Sequence, residues 1–265
     1  MTTGTTPTAA TLKGTSTVRA RCGGALATLA LVLGVLTGVV PGSSAGATGP
    51  PPLTGITQIT SGAMHSCALL NSGSVRCWGD NGFGQLGNGT TRDASVPLAV
   101  AGITNAVAID SASTSLSTCA VLATGGVRCW GRNHHGQLGN GTTTDSTTPV
   151  AVSNITGATS IAAGQDHTCV ALSNGEARCW GWNNRGQLGN GTTTDTLVPA
   201  TVTGLTGAAA VSAGGGHTCA ALTDQSVRCW GSNAWGALGN GSSATDSKVP
   251  VMVSGISTAT AISSG

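Results

Sequence analysis

Short apolar runs separated by turn-forming residues occupy the chain from about residue 55 onward. In each stretch of about 50 residues, four such runs predict four short strands. Examples are residues 160–163 for the first strand, 67–69 for the second, 75–78 for the third and 150–152 for the fourth. The residues at 71–73, Asn-Ser-Gly, predict a hairpin loop between the second and third strands. No segment has a helical period long enough to compete, so the pattern predicts an all-β protein.

The strand pattern belongs to an internal repeat. Trp78, Trp130, Trp180 and Trp230 each follow Arg-Cys and precede Gly, at spacings of 52, 50 and 50 residues. The repeat divides the chain into units at about 55–101, 102–153, 154–203 and 204–254, followed by the start of a fifth unit at 255–265. Four strands in a unit of this length indicate an all-β repeat of four-stranded blades.

The N-terminal segment has the organisation of a secretory signal peptide. Lys13, Arg19 and Arg21 precede an uncharged apolar run at 24–40, and small residues at 45–47 form a cleavage pattern. We therefore predict a signal peptide at 1–47 and a linker at 48–54. The alternative is a short membrane anchor, because 17 apolar residues lie at the lower limit of a spanning helix.

Composition and charge exclude several classes of protein. Only 8% of the 265 residues are charged, which excludes a charged disordered tail and a coiled coil. Without residues 1–47, eight Lys and Arg remain against nine Asp and Glu, a net charge of −1. The basic patch of a nucleic-acid-binding protein is therefore missing.

Three recurring motifs resemble a known repeat family. G-x-x-H-[ST]-C-A-L, V-R-C-W-G and G-Q-L-G-N-G are similar to the regulator of chromosome condensation repeat, and the likeness extends over about 200 residues. The resemblance implies a β-propeller, which has seven blades in the type members. Four blades and the start of a fifth are then expected to form an open arc of a truncated propeller, with about three further units encoded downstream. The second unit departs from the motif, with Thr114 and Ser117 in place of Gly and His.

Each unit also contains a cysteine pair with a separation of ten residues. A hairpin centred between them places each pair directly opposite on antiparallel strands, at a non-hydrogen-bonded position within reach of a disulfide. An even set in an exported chain indicates a disulfide framework. Zinc and redox sites remain alternatives, but their usual cysteine spacings are absent. The predicted bridges are Cys67–Cys77, Cys119–Cys129, Cys169–Cys179 and Cys219–Cys229.

Residues that recur in every unit are most simply residues of the fold. The same interpretation applies to the histidines at 65, 167 and 217, which recur in three of the four units, and no metal site is expected from them. It also applies to the arginines at 76, 128, 178 and 228 and the aspartates at 93, 145, 195 and 246, for which ion pairs are expected. Gly-Asn-Gly sequences such as 87–89 indicate tight turns. The Asn-x-Thr/Ser triplets, four of which coincide with these turns, match the glycosylation pattern.

The candidate binding residues vary within an otherwise fixed loop motif. After each Trp-Gly the chain reads x-N-x-x-G, and the variable positions hold all three aromatic residues outside the repeat. Tryptophan and arginine dominate binding hot spots, and equivalent loops of successive blades lie side by side. The alternatives are scattered surface residues or aromatics packed between blades. The predicted binding residues are Phe83, Arg132, His134, His135, Trp182, Arg185 and Trp235.

The sequence favours a non-enzymatic, secreted propeller that binds an extracellular protein or a surface glycan. We expect no catalytic residue, no cofactor, no nucleic-acid partner and no membrane association after signal cleavage. The resemblance implies two precedents, namely nucleotide exchange on a small GTPase by intracellular members and β-lactamase inhibition by some secreted bacterial members. An extracellular hydrolase that uses His134 or His135 is a further alternative.

Overall fold

The computed structural model describes residues 51–243 and 245–264. The predicted signal peptide at 1–47 lies outside the described residues, as do the first three residues of the predicted linker. Within the described part, no helix is long and apolar enough to cross a membrane.

The described residues form four antiparallel sheets, each built from four consecutive strands, and we call these sheets blades 1 to 4. Blade 1 contains β1 (Ile56–Ser61), β2 (His65–Leu70), β3 (Val75–Gly79) and β4 (Ala94–Ala99). Blade 2 contains β5 (Ala106–Asp110), β6 (Ser117–Leu122), β7 (Val127–Gly131) and β8 (Ser146–Ala151). Blade 3 contains β9 (Ala158–Ala163), β10 (His167–Leu172), β11 (Ala177–Gly181) and β12 (Thr196–Thr201). Blade 4 contains β13 (Ala208–Ala213), β14 (His217–Leu222), β15 (Val227–Gly231) and β16 (Ser247–Met252).

The hydrophobic core lies between consecutive blades. One cluster joins Cys77 and Leu86 of blade 1 to Ile109 and Trp130 of blade 2. Equivalent clusters join blade 2 to blade 3 and blade 3 to blade 4. Because each sheet buries its faces against its neighbours in the chain, the blades are arranged as the open arc of a β-propeller, which confirms the predicted fold class.

The cysteine pairs lie in the hairpins that join the second and third strands. Cys67 is directly opposite Cys77 in the β2–β3 register, and the other three pairs occupy the same position in their blades. All four pairs form disulfides, with Cα–Cα distances of 4.0 to 4.1 Å. The predicted disulfide framework is therefore confirmed.

The first strands of neighbouring blades are joined through side chains. The Gln58 side chain donates to the carbonyl of Ile109 at 2.7 Å and accepts from its amide at 3.0 Å. The Ala163 amide donates to the Asp110 carboxylate at 2.8 Å. These bonds satisfy backbone groups on the free edge of each first strand, where no further strand pairs.

The second blade has a longer turn between its first two strands than the alignment of the second unit with the repeat motif suggested. In blade 1, Thr60 is opposite Cys67, whereas in blade 2 Asp110 is opposite Cys119. The turn of blade 2 is therefore two residues longer, and the register aligns Ala112 with Gly62. The alignment of Thr114 with that glycine was wrong, because counting from the cysteine ignores the two added residues.

Residues after β16 follow the path of a further first strand. The Ala259 amide donates to the Gln225 carbonyl at 2.9 Å, as the Ala208 amide does to Gly175. Ile262 packs against the cluster of blade 4 that contains Leu238.

Candidate binding surface at the loop end of the blades

Each third strand ends in the x-N-x-x-G loop, and we call this the loop end of the blade; the opposite end is the hairpin end. One buried asparagine holds each loop together. In blade 1 the Asn81 side chain accepts from the Leu86 amide at 2.9 Å and donates to the carbonyls of Thr90 and Arg92. Asn133, Asn183 and Asn233 make the corresponding bond to the amide of a buried leucine. The asparagine therefore belongs to the scaffold and leaves the variable positions on either side free to differ.

The recurring aspartates stabilise the same loops. The Asp93 carboxylate accepts the Asn81 amide at 2.9 Å, and the other three aspartates make the same contact. Within the described residues, three of the recurring aspartates form ion pairs with side chains at variable loop positions, and no ion pair joins a recurring arginine to a recurring aspartate. Asp195 pairs with His135 and Asp246 with Arg185, in each case across a blade boundary. The recurring arginines lie near the hairpin end, too far along the strand to reach these aspartates.

A buried hydrogen-bond relay joins blade 1 to blade 2. His65 Nε2 lies 2.7 Å from Thr118 Oγ1, and the threonine hydroxyl donates to the Gln85 carbonyl at 3.4 Å. The same carbonyl accepts from Trp130 Nε1 at 2.9 Å. Because the hydroxyl donates onward, the histidine acts as the donor to it, with its proton on Nε2.

The other two blade boundaries use the same relay with one difference. His167, Thr218, Gln187 and Trp230 form the relay between blades 3 and 4. Between blades 2 and 3, Thr168 and Trp180 donate to Gln137, but Ser117 occupies the histidine position. His65, His167 and the repeat tryptophans of blades 2 to 4 thus connect blades, and a binding role is not needed to explain their recurrence.

Burial perturbs the pKa of these histidines. Desolvation lowers the pKa of His65 to about 4, against a weaker opposing effect of Asp80. Desolvation, aided by nearby His217, lowers the pKa of His167 to about 3. Both rings are therefore neutral at physiological pH, as the relay requires.

Five of the seven predicted binding residues come together at the loop end across blades 1 to 3. The third variable position of one blade contacts the first or second variable position of the next. We call this set the aromatic strip; it consists of Phe83, Arg132, His134, His135 and Trp182.

The first half of the strip surrounds Phe83. The His134 ring approaches Phe83 edge-on, with centroids 5.8 Å apart, and the Arg132 guanidinium lies 5.7 Å from the Phe83 centroid. Arg132 also pairs with Asp166 at 3.5 Å and donates to His134 Nδ1 at 3.2 Å. The ion pair and the edge contact therefore hold both polar side chains against one aromatic ring.

The second half of the strip is a histidine–tryptophan pair. The ring centroids of His135 and Trp182 are 5.7 Å apart, with an interplanar angle of 43°. His135 Nδ1 lies 3.0 Å from the Asp195 carboxylate, which is fixed in turn by the Asn183 amide.

The remaining two predicted residues lie apart from the strip. Arg185 is engaged with Asp246. Trp235 is fully exposed and has a φ of 60° within a short 3-10 helix at Ala234–Gly236. In blades 1 to 3 a glutamine side chain accepts the amide of the corresponding residue. Blade 4 has Ala237 in place of that glutamine, so its loop adopts a different turn that directs Trp235 outward.

Sequence reasoning missed the carboxylates that position the strip. Asp195 was assigned to the scaffold because it recurs, and its second oxygen still holds His135. Asp166 had no recurring pattern to mark it. Within residues 51–243 and 245–264, no three His, Cys, Asp or Glu side chains are grouped closely enough to hold a metal ion.

The blades and their inter-blade tryptophans define a β-propeller repeat protein, and comparison with known families specifies the type. Two profiles described as "Regulator of chromosome condensation (RCC1) repeat" together match more than half of the chain. The chain therefore belongs to the RCC1 repeat family. The first profile matches residues 72–121, 124–171 and 174–221, and the second matches 56–85, 158–187 and 208–236.

Each of two curated relatives matches less than half of the chain. The human E3 ubiquitin-protein ligase HERC2 is 38% identical over 115 residues, which are 43% of this chain and 2% of HERC2. The ultraviolet-B receptor UVR8 of Arabidopsis thaliana is 38% identical over 116 residues, 42% of this chain and 26% of the receptor. The chain thus matches only a small share of either protein.

Solved structures share the fold over a longer range. Human WBSCR16 superimposes with a TM-score of 0.69 at 26% identity, covering 77% of this chain and 54% of that chain. Yeast RCC1 (Prp20), in its complex with Kap60, gives a TM-score of 0.67 at 22% identity and covers 77% of this chain and 50% of that one. The chain therefore spans about half the length of these two structures.

Proposed function

We propose that the chain is an exported, non-enzymatic binding module that uses the aromatic strip to bind a macromolecule outside the cell. The observation that carries this proposal is the strip itself. Five side chains at variable positions form two contact groups, one at the boundary of blades 1 and 2 and one at the boundary of blades 2 and 3, while the recurring residues of the same loops are used internally. Aromatic and arginine side chains held in a fixed geometry are the usual anchors of binding surfaces.

Export is supported by the disulfides and by the N-terminal sequence. Four disulfides lie in the blades, and such frameworks are typical of oxidising compartments outside the cytosol. The charged, apolar and small-residue order at 1–47 matches the pattern of an export signal. The relatives named above are compatible with a binding role but do not identify a partner for this chain.

A non-enzymatic role fits the surroundings of the two strip histidines. The His134 ring bonds with Arg132 and lies close to Asp145, and the His135 ring bonds with Asp195. None of these partners is a hydroxyl or thiol nucleophile. These two histidines therefore do not form the Ser–His or Cys–His arrangement of covalent hydrolases.

The proposal is tested by retention on cell envelopes. The full chain is expressed in a secreting bacterial host and the exported product is sequenced from its N-terminus, which we expect at Thr48. Intact envelopes of the producing organism are then incubated with this product, and the bound fraction is measured by sedimentation. We expect binding that is strongly reduced by the double substitution Phe83→Ala and Trp182→Ala.

The matched control is Val107→Ala, which truncates an exposed apolar residue outside the strip. The control should bind like the native chain. Equal binding by the native chain and the strip variant would overturn the proposal, as would retention of the protein in the cytosol.

A further inference from the structure

The His135–Trp182 pair combines an aromatic ring with an oriented hydrogen-bond acceptor. The pair lies across the boundary of blades 2 and 3, and its ring centroids are 5.7 Å apart. The His135 side chain is 34% exposed, and Trp182 is half-buried. A ligand at the loop end can therefore contact both rings.

The hydrogen bond to Asp195 decides which nitrogen of His135 a ligand meets. A carboxylate can only accept, so Nδ1, 3.0 Å from the Asp195 carboxylate, carries the proton and donates. In the neutral ring Nε2 then has a lone pair and accepts. Because Asp195 is itself fixed by the Asn183 amide at 2.9 Å, the direction of this acceptor is set in advance.

The charges at the loop end of the four blades disfavour an anionic ligand. The loop end has six carboxylates, at 80, 93, 145, 166, 195 and 246, against four cations at 92, 132, 185 and 248. Two of the cations, Arg132 and Arg185, are already paired with Asp166 and Asp246. A ligand that brings hydroxyl donors and no negative charge matches this surface better than a polyanion does.

From these three observations we infer that the His135–Trp182 pair is a subsite for a neutral saccharide. The apolar C–H face of a pyranose ring packs on Trp182, and a ring hydroxyl donates to His135 Nε2. A flat apolar surface beside a few oriented polar atoms is the general plan of small-ligand sites. His134 and Phe83 continue the strip into blade 1, so a chain of several sugars can extend along it. This inference rests on the proposed function and specifies its ligand.

The test is isothermal titration of the exported, disulfide-bonded chain with two neutral probes, cellohexaose and chitohexaose. We expect at least one to bind, and Trp182→Ala to weaken that binding about tenfold or more. Trp182→Phe keeps an aromatic face and should stay within about threefold of the native affinity. His135→Phe keeps a ring but removes the acceptor, and should weaken binding about fivefold or more. Val107→Ala should bind as the native chain does.

Three results would overturn the saccharide inference. They are the failure of both probes to bind, equal affinity of the His135→Phe variant, and tighter binding of the anionic probe polygalacturonate than of the neutral ones. If the probes fail while envelope retention still depends on the strip, the saccharide inference fails and the proposed function survives. If retention also becomes independent of the strip, both proposals fail. Melting curves of every variant confirm that each is folded.

Discussion

At the scale of single residues, histidines at recurring positions have a different role from the histidine at a variable loop position. His65 and His167 are buried and each donates to a threonine of the next blade. His135 lies in a variable loop and is held by an aspartate at the surface. Recurrence in the sequence distinguished the buried histidines from His135, but it could not reveal their partners, because each partner lies about 50 to 60 residues away on another blade.

The buried histidines make stability depend on pH in a defined direction. Their folded-state pKa values, about 4 for His65 and about 3 for His167, lie below the unfolded value of 6.5. The unfolded chain therefore binds more protons at acid pH. The free energy of unfolding should be at its full value above pH 6.5 and fall as the pH is lowered from 6.5 toward 3. For His65 alone the loss is on the order of 3 kcal/mol.

Urea unfolding between pH 8 and pH 4 measures this slope. Burial raises the pKa of Asp110, so its protonation partly offsets the loss at the acid end. The control therefore compares the native chain with the double variant His65→Ser and His167→Ser, in which Asp110 is unchanged. Serine already occupies the equivalent position of blade 2 at Ser117. The variant should have a flatter profile, and an equally steep one would contradict the histidine assignment.

At the scale of secondary-structure elements, the loop end of each of blades 1 to 3 packs against the repeat tryptophan of the next blade. Gly87, Gly139 and Gly189 lie directly against Trp130, Trp180 and Trp230, so that an added Cβ would approach each indole within 2.6 to 2.8 Å. The Gly-Gln-Leu-Gly motif therefore serves two purposes, since its glutamine carbonyl accepts from the indole and its second glycine makes room for it. The sequence showed the motif and predicted turns, but the contact with a distant tryptophan became visible only in the folded chain.

Paired glycine substitutions test this contact. Gly189 and Gly191 have φ values of +64° and +83°, so alanine is strained at both positions. An added Cβ at Gly189 would lie 2.8 Å from Trp230, whereas at Gly191 it would meet nothing within 4 Å. Gly189→Ala should therefore destabilise the chain by about 1–3 kcal/mol more than Gly191→Ala in chemical unfolding. Equal effects would show that backbone strain alone matters.

The disulfide-linked hairpin is the second element-scale feature. Each bridge closes a short loop, and the chain-entropy account gives a contribution of about 2.5–3 kcal/mol. The double variant Cys169→Ala and Cys179→Ala should lower the free energy of unfolding by about this amount. Denaturant titration measures the change, and peptide mapping without reduction should still show the other three bridges in the variant. Unchanged stability, or linkage between different blades, would contradict the account.

At the scale of the whole molecule, the repeat was enough to predict the fold. The 50-residue period, the four strand signals and the cysteine spacing led to four-stranded blades with a disulfide in each hairpin. The candidate surface was predicted less completely. Its residues were identified as variable positions, but the grouping of Phe83 with Arg132, and of His135 with Trp182, depends on the offset between neighbouring blades. The outward turn at Trp235 follows from the single replacement at Ala237, whose effect could be recognised only from the hydrogen bond that the other blades make.

The central claim is that recurring residues build the propeller while variable residues form its binding surface. Trp180 and Trp182 test it directly, because they are two positions apart in the chain. Trp180 recurs in every unit, whereas Trp182 stands at a variable position of the loop. Trp180 is fully buried and donates to Gln137, whereas Trp182 lies in the aromatic strip. The decisive measurement is the thermal unfolding midpoint of Trp180→Ala and Trp182→Ala under identical conditions. We expect a decrease of about 6 °C or more for the first and less than about 4 °C for the second. Equal decreases would place both tryptophans in the core and contradict the division.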